Sequence, residues 1–328
     1  MRISIAMCTY NGQQFLQRQL DSFAAQTFPP QELVVCDDGS TDDTLAIVAR
    51  FAERAQFPVR IFRNSHNLGP AKNFEQAINL CGGDLIALSD QDDEWYPGKL
   101  AEFQRFFERF PEAIVAFSDA DLIDEHSVPL QKKLWRSVRF SDPNPTPHMD
   151  ASIFAVLLKL NHIATGATMV FRSQFRHQFI PIPGSWLHDA WIIWLAASCG
   201  CAGLVPKAQM CYRVHPNQQL GLAPTSITAR LAHAQQNALR DYRLLIRQLG
   251  EFSDYLERQD NPAANECKYR VDAKIQHLNA RATLPPSILP RALWILSSWK
   301  EYRSYTRGFV TMMQDVFLPP VNASPQSE

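Results

Sequence analysis

Residues 32–52, ELVVCDDGSTDDTLAIVARFA, contain one complete repeat of the fold. ELVVC is a short apolar run of strand character, and Asp37, Asp38 and Gly39 end it, with the glycine permitting a tight turn. Ser40, Thr41, Asp42 and Asp43 then offer side-chain oxygens to the unpaired N–H groups of a helix start. Leu45, Val48, Ala49 and Ala52 follow at helical spacing. The stretch reads as a buried strand, a polar turn and a capped helix.

The pattern repeats on both sides. Strand-like runs begin near Ile3 (ISIAMC), Pro58 (PVRIF), Leu85 (LIALS) and Ala113 (AIVAFS), so that starts recur every 26 to 29 residues. Between the first two strands Phe15, Leu16, Leu20 and Phe23 fall on one side of a helix, and Pro97 is suited to the first turn of a helix over KLAEFQRFFERF. This alternation predicts an α/β chain with a largely parallel sheet flanked by helices. In such sheets ligands bind beyond the carboxyl ends of the strands, where loops diverge. CTYNG, CDDGS and SDQDD all fall at those ends.

From about Asp119 to Leu220 the alternation is lost, with prolines at 143–147 and 181–183, which predicts loops and shorter strands. After Thr225 the sequence ITARLAHAQQNALRDYRLLIRQLGEFSDYLER has helical periodicity, Asn261-Pro262 breaks it, and a final helical stretch runs from Ala292 to Phe317. The expected organisation is a catalytic domain over 1–224, divided into halves at 118/119, a helical region over 225–318 and a disordered tail over 319–328.

With 328 residues, 46% hydrophobic, and a net charge of -1, the chain can bury a large core and has no global charge that would attract nucleic acid. The balance tilts acidic before residue 224 and basic after it. Seven cysteines, an odd count without zinc-type spacing, read as reduced thiols in a cytoplasmic protein. MRISIAMCTYNG lacks a signal-peptide pattern, and the longest uncharged stretch, Ala190 to Pro206, is broken by Ser198, Gly200 and Gly203, short of a bilayer span.

The chemistry starts at ALSDQDDEW, residues 87–95. Asp90, Asp92, Asp93 and Glu94 cannot all be buried and ionised without positive charge beside them. A divalent cation, Mg²⁺ or Mn²⁺, would supply it and bridge carboxylates to phosphates. The competing reading is a solvated acidic loop that caps the following helix. Asp38 is placed to accept from a base N–H or a ribose hydroxyl, or to make a simple turn.

Taken in order, MCTYNG, QTFPPQELVVCDDGSTDDT, NLGPAKNF and SDQDDEWYP resemble the nucleotide-sugar-binding half of glycosyltransferase family 2, four motifs across about 100 residues. The resemblance implies a GT-A (Rossmann-like) fold with a C-terminal helical extension. Within the family, SDQDDEWYPGKL and that extension look most like bacterial rhamnosyltransferases of surface-polysaccharide biosynthesis. The resemblance places Cys8, Thr9, Tyr10 and Asp38 at the nucleobase, Asp90 at the ribose or metal shell, Asp92 on the metal, and Asn67 and Lys72 near the nucleotide, which leaves Asp93 and Glu94 to the helix start before Pro97. GSWLHDAWIIW resembles the segment that carries the base, which puts Asp189 in that role. His188 stands where the family usually has glutamate, and His188 and Trp186 are assigned to the acceptor side. YRVHPNQQLG, residues 212–221, resembles the closing loop and makes His215 a second metal ligand.

These matches imply an inverting, metal-dependent transfer of a sugar, L-rhamnose from dTDP-β-L-rhamnose, to a glycan or lipid-linked saccharide. A UDP-hexose donor is the alternative within the family. A sugar nucleotidyltransferase and a non-catalytic glycan-binding protein are the alternatives outside it; the first is disfavoured by a CTYNG loop with a single glycine and no neighbouring lysine or arginine. ALWILSSWKEYRSYTRGFVTMMQDVF mixes aromatics with Lys300, Arg303 and Arg307, a composition suited to an anionic membrane face. Packing of that helix on the catalytic domain or on another subunit is the competing expectation.

Overall fold

The computed structural model describes residues 1–215, 227–259 and 261–317, with backbone alone for 227–241. The chain divides into two compact units, Met1–Ala151 with His162–Leu222, and Ser152–Asn161 with Ala223–Glu328. The segment 152–161, read from sequence as part of the first unit, packs instead with the second.

The first half alternates as expected: β1 (Ile3–Thr9), α1 (Leu16–Ala24), β2 (Glu32–Asp37), α2 (Thr44–Ala52), β3 (Val59–Arg63), α3 (Pro70–Leu80), β4 (Leu85–Ser89), β5 (Glu94–Trp95), α4 (Lys99–Arg109) and β6 (Val115–Ser118). Short elements follow: β7 (Asp121–Ile123), β8 (Pro129–Lys133), α5 (Leu134–Ser137), β9 (His148–Met149), α6 (Ile153–Leu160), β10 (Met169–Arg172), α7 (Arg176–Phe179), α8 (His188–Ser198), β11 (Ala202–Val205) and β12 (Met210–Arg213). Of these, α6 is the element that belongs to the second unit.

The main sheet has the order β3-β2-β1-β4-β10-β6-β11-β9, and β5-β12-β7-β8 form a smaller one. The first four strands are parallel, with Thr9 opposite Asp37 and Met7 opposite Ser89, so three polar motifs leave the sheet side by side. Strand order turns at β1, which has β2 on one side and β4 on the other, and a crevice opens where it turns. β10 then enters antiparallel to both β4 and β6, an insertion that the lost alternation did not announce.

Alternation of side chains builds the layers. Ile3, Ile5 and Met7 share one core cluster with Leu16, Leu20 and Phe23 of α1 and Phe103, Phe106 and Phe107 of α4. On α2 the buried face is Thr44, Ile47, Val48 and Phe51, whereas Ala49 is exposed. The expected stripe of Leu45, Val48, Ala49 and Ala52 is therefore rotated, because the bulkier Ile47 and Phe51 remove more apolar surface from water than alanines can. Asp42 accepts the Thr44 N–H at 3.0 Å, which fixes where α2 starts. Pro97 lies outside α4, its carbonyl accepting the Thr27 N–H at 2.9 Å.

The second unit contains α9 (Ile227–Glu257), α10 (Pro262–Ala282), α11 (Ile288–Ser297), α12 (Trp299–Tyr305) and α13 (Phe309–Phe317). Asn261 caps α10 by accepting the Ala264 N–H at 2.9 Å. The single final helix expected from sequence is three, broken at Ser298 and at Thr306 to Gly308, where the glycine takes a φ of +60°. Among the described residues no helix is long and apolar enough to cross a membrane. All seven cysteines are free. The tail at 319–328 and the closing loop from residue 216 onward lie outside the described residues.

Candidate active site

The loops at the ends of β1, β2 and β4 are tied together by their own polar side chains. Asp37, wholly buried, accepts from the Thr9 hydroxyl at 2.9 Å and the Ser40 N–H at 2.9 Å. Asp38 accepts the N–H groups of Leu68 and Gly69 at 2.8 and 2.9 Å and the Asn64 amide at 2.8 Å, while Asn67 donates to the Asp38 carbonyl at 3.3 Å. Each carboxylate thus organises a turn, and Asp38 and Asn67 still line the cleft. Gln91, unremarked in the sequence, clamps Tyr10 by accepting its N–H at 2.9 Å and donating to its carbonyl at 3.0 Å. The clamp needs Gly12, since a Cβ there would stand 2.2 Å from Gln91 Oε1.

A cleft of about 420 Å³ opens beyond these strand ends. Cys8, Thr9 and Tyr10 line it from β1, Asp90 and Asp92 from β4. A neighbouring cavity shares Tyr10, Asp38 and Asn67 with it and adds Arg63, whose guanidinium donates to the Ser40 carbonyl at 3.2 Å. Lys72 lines neither; it pairs with Glu75 at 2.7 Å and donates to the Ile182 carbonyl at 3.2 Å. Arg63 brings a cation to this second cavity, and its place at the end of edge strand β3 was readable only once strand order was known.

The acidic loop divides differently from the sequence expectation. Burial pushes the Asp90 carboxyl up to about 8, with Asp92 and Asp189 adding to the effect and Lys99 opposing it. Asp93 does not belong to the helix start. It is 1% exposed, accepts the Arg213 N–H at 3.0 Å through Oδ1 and has no partner on Oδ2. Glu94 sits in β5 and pairs with the Arg213 guanidinium at 2.6 Å. Opposite Asp90 and Asp93 lies Lys99, with no exposed surface, donating to the Ala167 carbonyl at 2.5 Å and lying 3.6 Å from the Trp95 ring centroid. Burial lowers its amine to about 7, against the pull of Asp93 and Asp90. Sequence missed Lys99 because KLAEF looks like the start of any amphipathic helix.

Removing this amine takes away the hydrogen bond to Ala167 and the basic group that opposes the raised pKa values of Asp90 and Asp93. Lys99→Met is expected to destabilise the protein by about 3 kcal/mol in urea unfolding, and Asp93→Asn in the same chain to restore part of that loss.

The other wall comes from α8. Asp189 lies in its first turn, nearly buried, and its Oδ2 accepts the Gly166 N–H at 3.1 Å. His188 also lines the cleft, stacked on Phe74 at 3.8 Å between centroids, with neither ring nitrogen hydrogen-bonded. Burial lowers its pKa, with Asp189 opposing, so the ring is kept neutral. Gly166 makes room for it, because a Cβ there would come within 2.6 Å of Nε2. Trp186 does not reach the cleft. It is 4% exposed and packs on Trp191 and Trp194, where its area serves the core.

His215 closes the site after β12, with Nε2 at 2.9 Å from Asp92 Oδ2 and its ring on Phe15. Among the described residues no three His, Cys, Asp or Glu side chains converge on one point. Asp92 and His215 both line the cleft, side by side. That donor set, beside a surplus of buried carboxyls, fits a hard or borderline divalent cation that takes its remaining ligands from a diphosphate and water.

The sequence profile of glycosyl transferase family 2 matches residues 4–176. An uncharacterized protein of Mycobacterium tuberculosis is 29% identical over 216 residues, 65% of this chain and 59% of that one, so the chain spans about 59% of that relative's length. Abequosyltransferase RfbV of Salmonella typhimurium is 32% identical over 110 residues, 33% of each chain. The structure of S. aureus TarS 1-349 in complex with UDP-GlcNAc superposes with a TM-score of 0.59 at 18% identity, covering 93% of this chain and 82% of that one. At that identity the likeness is one of fold, a mixed α/β sheet flanked by helices.

Proposed function

Because the chain belongs to glycosyl transferase family 2, whose profile covers more than half of it, we propose that it transfers a sugar from a nucleoside diphosphate to a hydroxyl with inversion at the anomeric carbon. The observation that carries this reading is the presence in one cleft of the Asp189 carboxylate, the Asp92–His215 pair and the ends of β1, β2 and β4. In this reading the nucleobase lies against Tyr10, Asp38, Asn67 and Arg63, and the diphosphate runs toward Asp90 and Asp92. The acceptor enters beside His188.

Asp189 takes the proton of the acceptor hydroxyl as that oxygen attacks the anomeric carbon, and the bond from that carbon to the diphosphate oxygen breaks. The Gly166 N–H holds the carboxylate in place in the first turn of α8. A divalent cation held by Asp92 and His215 would supply charge for the departing diphosphate. The ring of His188 and the buried walls around Asp189 keep water from competing for the sugar.

For the donor we favour dTDP-β-L-rhamnose, giving an α-linked product, on the strength of SDQDDEWYPGKL and the C-terminal helices. The acceptor in this reading is a glycan or lipid-linked saccharide at the inner face of the cell membrane. Divalent-cation-dependent release of nucleoside diphosphate from a panel of dTDP-, UDP- and GDP-sugars tests the whole reading. Release from one donor is expected. Release from a UDP-hexose alone would replace rhamnose, consumption of a nucleoside triphosphate with pyrophosphate release would indicate a nucleotidyltransferase, and no turnover of any substrate would leave a glycan-binding protein.

The Gln91 clamp gives a milder test. Gly12→Ala drives Gln91 from Tyr10 and is expected to raise the donor KM about tenfold, the worth of a hydrogen bond or two, with kcat and Tm little changed.

A further inference from the structure

Two of the last three helices, α11 and α13, turn apolar residues outward and polar ones inward. On α13, Phe309, Val310, Met313 and Phe317 are exposed, Phe309 to 67%, whereas Thr311 and Asp315 are buried. On α11, Leu289, Leu293 and Leu296 are each more than 60% exposed, whereas Arg291 on the same helix is buried at 3%. The interior they cover is rich in polar groups. Arg281 donates twice to Asp315 at 2.6 and 3.0 Å, and the Tyr302 hydroxyl donates to the same carboxylate at 2.6 Å. Arg291 donates to the Pro286 carbonyl and leaves Nε and Nη1 without partners.

A helix that faces water does the opposite, turning apolar residues inward and charge outward. Exposed leucines recur at 289, 293 and 296, and the exposed apolar residues of α13 at 309, 313 and 317, so each set forms one continuous face rather than a scatter. The two helices pack on each other through the cluster that contains Ile295 and Met312. Charge in the segment that joins α11 to α13 has one dominant sign. In α12 and the turn after it, Lys300, Arg303 and Arg307 stand against Glu301 alone, and the Arg303 guanidinium lies 6.0 Å from the ring of the half-exposed Trp299. Of the aromatics in this stretch Tyr302 is buried and Trp294 half-buried, whereas Trp299 and Phe309 are exposed. The most exposed residues are aliphatic and phenyl side chains.

We propose that α11 to α13 form a docking surface for an anionic lipid bilayer, with Leu289, Leu293, Leu296, Phe309, Met313 and Phe317 entering the acyl boundary and Lys300, Arg303 and Arg307 at the phosphate level. Aliphatic and phenyl side chains gain by leaving water for acyl chains, and the basic excess complements phosphate headgroups. The inference goes beyond the transferase reading and does not depend on it, since lipid binding and sugar transfer are measured separately.

The test is flotation of the full chain with vesicles of phosphatidylcholine containing about one third phosphatidylglycerol, and with phosphatidylcholine alone. Strong flotation with the first and at least about tenfold less with the second is expected, with binding that weakens as salt rises. A chain carrying Leu293→Ser, Leu296→Ser, Phe309→Ser and Phe317→Ser is expected to stay at the bottom of the gradient with its Tm and nucleotide release intact, because each of these side chains is more than 60% exposed. Lys300→Glu with Arg303→Glu is expected to lower binding to the anionic vesicles alone. No flotation with either vesicle would overturn the proposal. So would a concentration-dependent dimer in sedimentation velocity that the four serine substitutions dissolve, since the face would then meet a second copy of the chain.

Discussion

Asp189→Asn is expected to lower kcat by about a thousandfold or more while the donor KM stays within a small factor of its starting value. The amide keeps the size of the carboxylate, and its oxygen can still accept the Gly166 N–H, so the geometry at the start of α8 survives. What it loses is the capacity to take a proton. The proposed donor contacts lie on the other wall, at the ends of β1, β2 and β4, which is why KM should hardly respond. A comparable fall caused by a collapsed site would show as a lowered Tm and weakened nucleotide binding, both measurable on the same sample. Full transfer activity in the asparagine variant would remove Asp189 from the role of base.

Asp92→Asn is expected to cost two to three orders of magnitude, about the worth of one electrostatic contact to a developing charge, and to weaken divalent-cation binding in parallel. His215→Gln should show the same pattern to a smaller degree, because a neutral ligand supplies less attraction than a carboxylate. Both effects should shrink when cation concentration is raised far above the wild-type requirement. If chelation of divalent cations left transfer unchanged, Asp92 and His215 would be a hydrogen-bonded pair and nothing more. Their 2.9 Å contact would then be a closing latch between the β4 loop and the strand β12.

What was legible in the sequence is what is encoded locally. Strands β1 to β4, the polar turns at their ends and the helices between them follow from runs of a few residues and from capping side chains close to the strands. The misread positions are those whose partners are remote. Asp93 and Glu94 look like the lead-in to a helix until β12 brings Arg213, more than a hundred residues later, against both. Lys99 looks solvated until β10 and its preceding turn place the Ala167 carbonyl over it. Trp186 resembles a sugar platform, but the two other tryptophans of its segment enclose it. The rotated face of α2 has a simpler cause, a stripe chosen by spacing where residue volume decides. His188 and Asp189 were found from a motif alone, and their position on the cleft wall rests on the crossing of α8 past Gly166.

The reversed helices follow the same logic. A stretch of aromatic and basic residues states a composition, and which of them face outward depends on the breaks at Ser298 and Gly308 that divide it into three.

The central claim is a single displacement, with Asp189 on the acceptor side of the sugar and the diphosphate leaving on the other. Proton NMR of the anomeric centre, followed from the first turnover, tests it most directly. A product whose anomeric configuration is opposite to that of the donor, α-linked from dTDP-β-L-rhamnose, is the predicted result; a product that keeps the donor's configuration would contradict it.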